Sequence, residues 1–194
     1  MNCLASVLRF SLGLLLCGTA ACSRKSEVAP PASPKASHSD DKGGRTTPAK
    51  TSLALPRLGP APAWELKDVN GATVSSEQLK GKVVVVDFWA TWCPPCREEI
   101  PGYIALTRKY GRDGLVIVGI SLDQGGPEVV KTFASRAGIN YPLVMGDEKV
   151  VAAFGGVEGI PTTFLIDRTG QIRDRKVGLV ATAEYEQRIL AALN

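Results

Sequence analysis

The 194-residue sequence predicts an α/β sandwich, in which helices flank a central mixed β-sheet and a β-hairpin forms an N-terminal extension. Three observations predict this fold. Two apolar runs rich in β-branched residues, KVVVVDFWA and LVIVGISL, are typical of strands buried on both faces. Segments with helical spacing follow these runs, and the chain ends in a second hairpin and a helix. The hydrophobic content of 44% is that of a globular protein.

The first elements lead up to the first buried run. WELKDVNGATVSS alternates apolar and polar residues around Asn70-Gly71, which predicts the N-terminal hairpin. SSEQLKG predicts a short helical turn that begins at a serine. After the strand KVVVVDFWA, the spacing of Ile100, Tyr103 and Ile104 predicts a helix over residues 94–110.

The later elements alternate in the same way. LVIVGISL predicts the second buried strand, and PEVVKTFASRAG predicts a helix that closes at Gly138. One face of that helix would hold Val129, Val130, Phe133, Ala134 and Ala137. YPLVM predicts a short strand, EKVVAAF a short helix, and TTFLID with QIRDRKVG a hairpin that turns at residues 169–170. A final helix is expected from about residue 183 to 193.

The N-terminus is organised like an export signal. An apolar stretch over residues 10–16 is followed by small residues and then by Cys22. The segment resembles a bacterial lipoprotein signal, with residues 1–21 as the signal peptide and Cys22 as the lipidated residue. It departs from that pattern in having Thr19 where an aliphatic residue is usual. Ordinary cleavage after Ala21 and an uncleaved anchor are the alternatives.

Residues 22–57 are expected to form a disordered tether rich in proline and serine. The only histidine of the protein, His38, lies there and is expected to be solvated. Of the 23 Lys/Arg and 19 Asp/Glu, eight and three lie in residues 1–57, which leaves fifteen and sixteen for residues 58–194. The predicted domain, residues 58–194, is therefore close to neutral, and its charge gives no indication of nucleic-acid binding.

The sequence DFWATWCPPCREEIP contains the two cysteines of the predicted domain, Cys93 and Cys96. Two cysteines without any histidine are too few ligands for structural zinc, and they also disfavour a copper carrier and a cysteine hydrolase. Arg97 stands where haem attachment needs a histidine, and Ala90 stands where a thiol peroxidase would have Thr or Ser. A redox-active pair and a structural disulfide remain as the two interpretations.

The position of the pair favours redox chemistry. Cys93 falls at a strand-to-helix junction, and Pro94 and Pro95 suit the first helical turn. The unpaired N–H groups and the dipole at a helix N-terminus stabilise a thiolate and lower its pKa. A disulfide that closes so short a loop would add little stability, so a purely structural role is less well supported.

WCPPCREEIP, together with GIPTTFLID downstream, resembles the membrane-tethered branch of the thioredoxin superfamily typified by TlpA, ResA and CcmG-type proteins. The resemblance covers residues 58–194 and implies a thioredoxin-like sandwich. It implies a cis bond between Ile160 and Pro161, with Pro161 beside the cysteines. Backbone next to Pro161 would then pair with an extended substrate segment. The substrate-binding residues would be Trp92, Pro94, Pro95, Ile160 and Pro161.

Two acidic residues match the same branch. Asp87 lies six residues before Cys93 in a buried strand, and the resemblance implies that it takes a proton from the thiol of Cys96. Glu99 lies three residues after Cys96 on the same helical face and matches the active-site glutamate of the ResA-like branch; an acid placed only to suit the helix dipole is its alternative. We expect Trp89 in the core and Trp92 as a lid over the disulfide.

These expectations describe an exported, lipid-anchored thiol–disulfide oxidoreductase that faces the periplasm or the cell exterior. It would act as a monomer on protein disulfides, without metal or other cofactor, and a membrane thiol donor would return its electrons. The absence of a histidine between the cysteines favours a reductase over an oxidase. The alternatives are a cytochrome c maturation reductase specific for apocytochrome disulfides, and a binding module with a permanently closed disulfide.

Overall fold

The computed structural model describes residues 54–194. The predicted signal peptide, the lipidation site Cys22, His38 and most of the predicted tether lie outside the described residues. Among residues 54–194, no helix has both the length and the apolar character needed to cross a membrane.

Within the described residues, eight strands form a six-stranded sheet and a separate two-stranded hairpin. The strands are β1 Gly59–Pro60, β2 Glu65–Lys67, β3 Thr73–Ser75, β4 Val83–Trp89, β5 Leu115–Ser121, β6 Leu143–Met145, β7 Thr162–Ile166 and β8 Gln171–Val177. The large sheet has the order β1-β8-β7-β4-β5-β6, and β2 pairs with β3. Strand β4 runs parallel to β5 and antiparallel to β7, so the sheet is mixed, as the sequence predicts.

Four α-helices pack on this sheet in the described part of the chain. They are α1 Pro94–Tyr110, α2 Pro127–Ala137, α3 Glu148–Ala153 and α4 Thr182–Leu193. A short 3₁₀ helix at Ser76–Leu79 begins at Ser75, whose side chain and that of Gln78 form a capping box. Helix α2 ends at Gly138, which has a φ of 67°, a left-handed conformation that glycine adopts without steric cost.

The alternation of side chains along β4 divides the core into two layers. Val83, Val85 and Trp89 pack with residues of α1, α2 and α4 on one face of the sheet. Val84, Val86 and Phe88 pack with α3 and the β2–β3 hairpin on the other face. Because side chains alternate along a strand, Asp87 projects from β4 on the same face as Val85 and Trp89. The sheet therefore places a carboxyl group under helix α1.

The structure differs from the sequence predictions in two places. Val129 does not share the buried face of α2: its side chain is 44% exposed, whereas Val130 is completely buried. The prediction that both face the core is wrong, because consecutive helical residues are about 100° apart and the sheet covers only a narrow face of this helix. Packed residues also begin before position 58, since Leu55 is buried and Arg173 donates hydrogen bonds to the Leu55 and Pro56 carbonyls at 2.6 and 2.8 Å.

Candidate active site

Cys93 and Cys96 form a disulfide at the N-terminus of α1. Cys93 is the N-cap residue of the helix, and its sulfur accepts a hydrogen bond from the Cys96 backbone N–H at 3.3 Å. Pro94 and Pro95 occupy the first helical turn, where a missing N–H costs no hydrogen bond. The helix terminus therefore offers a backbone donor to the Cys93 sulfur, which is the arrangement that stabilises a thiolate after reduction.

The Ile160–Pro161 segment lies against the disulfide, as the resemblance implies. The Ile160–Pro161 peptide bond is cis, and the Ile160 carbonyl oxygen is 3.7 Å from the Cys93 sulfur. Pro161 is buried, and its carbonyl oxygen accepts a hydrogen bond from the Gly178 N–H at 2.8 Å. The two cysteine side chains are also shielded, with 3% of Cys93 and 1% of Cys96 exposed.

The two tryptophans near the disulfide have different environments. Trp89 is buried in the core, as predicted, and its ring packs against Phe133 with the two ring centroids 5.7 Å apart. Trp92 is 64% exposed and lines a shallow groove with Leu122 and Val129. The exposed face of Trp92 is available for contact with another molecule, while its predicted role as a lid stays a prediction.

Asp87 is buried beneath α1, as the sequence predicts. Its Oδ1 accepts a hydrogen bond from the Thr163 hydroxyl at 3.3 Å. Burial raises the pKa of Asp87 well above its usual value, and the negative charge of Glu99 raises it further. A carboxyl group with such a pKa is closer to a thiol in proton affinity, so proton exchange with a cysteine requires less free energy.

Glu99 is buried as well, on the inner face of α1 one turn after Cys96. Its Oε1 accepts a hydrogen bond from the Val180 N–H at 3.0 Å, while its Oε2 has no hydrogen-bond partner among the described residues. Burial raises the pKa of Glu99 to about 7, although the bond from Val180 opposes the shift. Its neighbour Glu98 is exposed. The structure thus separates a buried glutamate with an altered pKa from an exposed one beside it.

Two features of this region have no strong sequence signal. The Asp123 carboxylate accepts hydrogen bonds from the backbone N–H and the hydroxyl of Thr91, at 2.9 and 2.6 Å, and from the Ser121 hydroxyl at 2.8 Å. This links the loop before Cys93 to the end of β5. The second feature is a pair of hydroxyl groups, from Tyr103 and Thr163, whose oxygens are 3.4 Å apart in the core. The position of Tyr103, one turn after Glu99, could have indicated that its hydroxyl lies near the site. No pattern in the sequence indicates that Thr163 is its partner.

The chemistry that this arrangement supports is thiol–disulfide exchange. It combines a vicinal cysteine pair at a helix N-terminus, an adjacent cis-proline segment and two buried carboxyl groups. Among residues 54–194, no cluster of three or more His, Cys, Asp or Glu side chains could hold a metal ion.

Comparisons with known proteins agree with this chemistry. Residues 59–175 match the AhpC/TSA family. The chain is 33% identical over 145 residues to the thioredoxin-like protein YneN of Bacillus subtilis, covering 74% of this chain and 84% of YneN. It is 33% identical over 141 residues to the thiol-disulfide oxidoreductase ResA of Geobacillus thermodenitrificans, covering 72% of this chain and 79% of ResA.

Solved structures give the same result. A thioredoxin-family thiol:disulfide interchange protein from Chlorobium tepidum has a TM-score of 0.66 and 37% identity, covering 73% of this chain and all of that one. A second protein from the same organism, described as a putative thiol:disulfide interchange protein DsbE, has a TM-score of 0.66 and 32% identity with the same coverage.

Proposed function

This chain belongs to the AhpC/TSA family and is a thiol–disulfide oxidoreductase with a thioredoxin-like fold, and we propose that it acts outside the cytoplasm as a reductase of protein disulfides. The observation that carries the proposal is the placement of the Cys93 sulfur. It caps helix α1 and lies 3.7 Å from the carbonyl oxygen of Ile160, so a nucleophilic sulfur and the cis-proline segment meet at one place.

The proposed reaction starts from the reduced pair. The Cys93 thiolate attacks one sulfur of a client disulfide, that S–S bond breaks, and the other client sulfur leaves as a thiolate that takes up a proton. Cys96 then loses its proton and attacks the Cys93 sulfur in the mixed disulfide. The second client sulfur leaves, and the Cys93–Cys96 disulfide remains, which is the state that the structure contains.

Asp87 is proposed to accept the proton of Cys96, since its raised pKa suits exchange with a thiol. Glu99 is proposed to assist, because its carboxyl group lies one turn from Cys96 and its pKa of about 7 allows both protonation states near neutral pH. Client backbone is proposed to lie along Ile160 and Pro161, with Trp92, Pro94 and Pro95 as the other contact residues.

The reduction potential of the cysteine pair tests the direction of the reaction. The protein is equilibrated in dithiol buffers, its thiols are trapped by alkylation, and Cys96→Ala serves as the variant that cannot close the disulfide. A value well below about −200 mV, near the −270 mV of thioredoxin, is expected for a reductase. A value near about −120 mV would make the protein an oxidase instead. A pair that does not cycle at all would leave only the binding-module alternative.

The client is a separate question. A general reductase should reduce unrelated protein disulfides at similar rates, whereas a cytochrome c maturation reductase should prefer a disulfide within a C-x-x-C-H peptide. Comparing the rate on that peptide with the rate on a variant in which His is replaced by Ala distinguishes the two, because the cysteine chemistry is the same in both peptides.

We propose further that the protein is exported and anchored through lipidated Cys22, with the residues between Cys22 and Leu55 as the tether and a membrane thiol protein as its electron donor. The small residues before Cys22 support this proposal. Wild type expressed in bacteria supplied with labelled fatty acid should carry the label and sediment with membranes. Cys22→Ser should lose both properties, and a wild-type protein without label would contradict the anchor.

A further inference from the structure

Two hydroxyl groups lie in the core between the two buried carboxyl groups of the site. The Thr163 hydroxyl is 3.3 Å from Oδ1 of Asp87 and 3.4 Å from the Tyr103 hydroxyl. Tyr103 follows Glu99 by one turn on the buried face of α1, so the two side chains are neighbours there, and Oε2 of Glu99 has no hydrogen-bond partner among the described residues. The four side chains therefore form a series from β4, through β7, to two successive turns of α1. Hydroxyl contacts join its first three members, and Glu99 adjoins the third along the helix.

The series is enclosed by the core and contains no cation. Only 4% of Asp87 and 4% of Glu99 is exposed, and Tyr103 and Thr163 are also buried. Ion pairs in residues 54–194 involve other acidic side chains, and neither Asp87 nor Glu99 takes part in one. A proton that reaches Asp87 in this enclosed site needs a path of hydrogen-bonding groups to leave it.

We propose that the hydroxyl groups of Thr163 and Tyr103 form a relay that carries protons between Asp87 and Glu99. The inference rests on the proposed function, in which Cys96 must lose a proton before it attacks Cys93. That proton passes to Asp87. Asp87 then gives a proton to the Thr163 oxygen, the Thr163 hydroxyl gives its own proton to Tyr103, and Tyr103 gives its own to Glu99. Each hydroxyl gains one proton and loses one, so only the two carboxyl groups change charge.

The properties of the two hydroxyl groups suit this role. Burial raises the pKa of Tyr103 well above its usual value, so the phenol stays neutral and can donate and accept a hydrogen bond. A threonine hydroxyl has the same double capacity. Both distances are longer than the usual 2.7–2.8 Å of a hydroxyl hydrogen bond, and such contacts tighten when a proton is transferred. Thr163 and Tyr103 act here as positioning residues between the two carboxyl groups.

Other titratable groups face the same enclosed region. The hydroxyl groups of Tyr141 and Tyr185 have raised pKa values because of burial, so they carry no charge near neutral pH. Asp174 lies near Tyr185 and pairs with Arg188 at 3.3 Å. Tyr185 provides a matched control, because its ring centroid is 6.3 Å from that of Tyr103 while its hydroxyl has no hydrogen-bond partner among the described residues.

The test isolates the step in which Cys96 attacks. Reduced protein is mixed in a stopped-flow instrument with one equivalent of 5,5′-dithiobis-(2-nitrobenzoate), between pH 5 and 9. The first release of coloured thiolate reports attack by Cys93, and the second reports attack by Cys96. The variants are Tyr103→Phe and Thr163→Val, which remove one hydroxyl each, Thr163→Ser, which keeps the hydroxyl, and Tyr185→Phe.

We expect the second release to become at least about tenfold slower in Tyr103→Phe and Thr163→Val, since positioned proton transfer contributes about 10²–10⁴-fold to a rate. In these variants the rate should also rise more steeply with pH, because hydroxide must then remove the proton. The first release should be unchanged, and Thr163→Ser and Tyr185→Phe should behave like wild type. If Tyr103→Phe does not fold, the comparison of Thr163→Val with Thr163→Ser shows whether the relay needs the Thr163 hydroxyl.

A second release that stays within about twofold of wild type in Thr163→Val overturns the relay but not the proposed function. The same slowing in Thr163→Ser or Tyr185→Phe also overturns it, because the effect would then come from altered packing. A wild-type protein that shows no second release overturns the proposed function and the relay together.

Discussion

Replacement of Glu99 by glutamine should change the pH dependence of stability. The Glu99 carboxyl group is buried, accepts one hydrogen bond from the Val180 N–H and leaves Oε2 without a hydrogen-bond partner among the described residues. These conditions disfavour the ionised form, and burial raises the pKa of Glu99 from 4.5 to about 7.

The direction of this pH dependence follows from the number of protons that the folded and unfolded states bind. Between pH 4.5 and about 7, folded Glu99 holds its proton, whereas Glu99 in the unfolded chain releases it. The contribution of Glu99 to the free energy of unfolding is therefore greatest below pH 4.5 and falls as the pH rises to about 7. Each pH unit in this window costs about 1.4 kcal/mol, which sets a ceiling of about 3 kcal/mol. The Val180 N–H that binds Glu99 belongs to a residue that is only partly buried, so solvent screening reduces this to about 2 kcal/mol. The raised pKa of Asp87 acts in the same direction.

Glu99→Gln keeps the shape of the side chain and an oxygen for the Val180 N–H, but it has no proton to lose. We expect the oxidised variant to be about 2 kcal/mol more stable than wild type at pH 8 and close to wild type at pH 5. Urea unfolding at pH 5, 6, 7 and 8 measures this difference, with Glu98→Gln as the matched control because the Glu98 side chain is exposed. If Glu99→Gln and wild type lose the same stability between pH 5 and pH 8, Glu99 is not the group responsible and the argument from its burial is wrong.

Two further changes test packing around the site. A Cβ atom at Gly119 would lie 2.9 Å from the indole nitrogen of Trp89, so Gly119→Ala should lower the free energy of unfolding by about 1–3 kcal/mol in thermal or urea unfolding. Gly111 has open space around it and a helical φ, so Gly111→Ala should not lower it. Equal stability of the two variants would contradict this prediction. Asp123→Ala removes both hydrogen bonds from Thr91 and should lower the free energy of unfolding by about 2–4 kcal/mol in urea unfolding, with a smaller loss in Asp123→Asn. A loss below about 0.5 kcal/mol would show that the Asp123 carboxylate does not hold the loop before Cys93.

Much of the fold could be predicted because its determinants are local. The apolar run of β4 and the prolines at the start of α1 each specify an element within a few residues, and the predicted helix 94–110 matches α1. The two-residue strand β1 could not be predicted, because it depends on the Leu58 N–H reaching the distant Ile172 carbonyl at 2.9 Å. A strand this short has no periodicity to detect.

In the site, too, the features set by local sequence could be predicted and the contacts between distant residues could not. The cysteine pair and Asp87 were identifiable because each breaks a local expectation: two cysteines at a helix start, and one acid in an apolar strand. The bond between Thr91 and Asp123 joins residues 32 positions apart, and the contact between Tyr103 and Thr163 joins residues 60 apart. No spacing rule connects such pairs, since the three-dimensional fold alone brings them together.

The two borders of the large sheet have a consequence for an enzyme that handles other polypeptides. On one side, β6 is covered by the hairpin, where the Val69 N–H binds the Leu143 carbonyl at 3.2 Å and Asp68 pairs with Val144. On the other side, β1 covers only the first two residues of β8, and the remainder of β8 carries four consecutive charged residues, 173–176. Covered and charged borders discourage strand addition. The borders of the sheet therefore offer a partly unfolded client little free backbone to pair with, which favours its release after disulfide exchange.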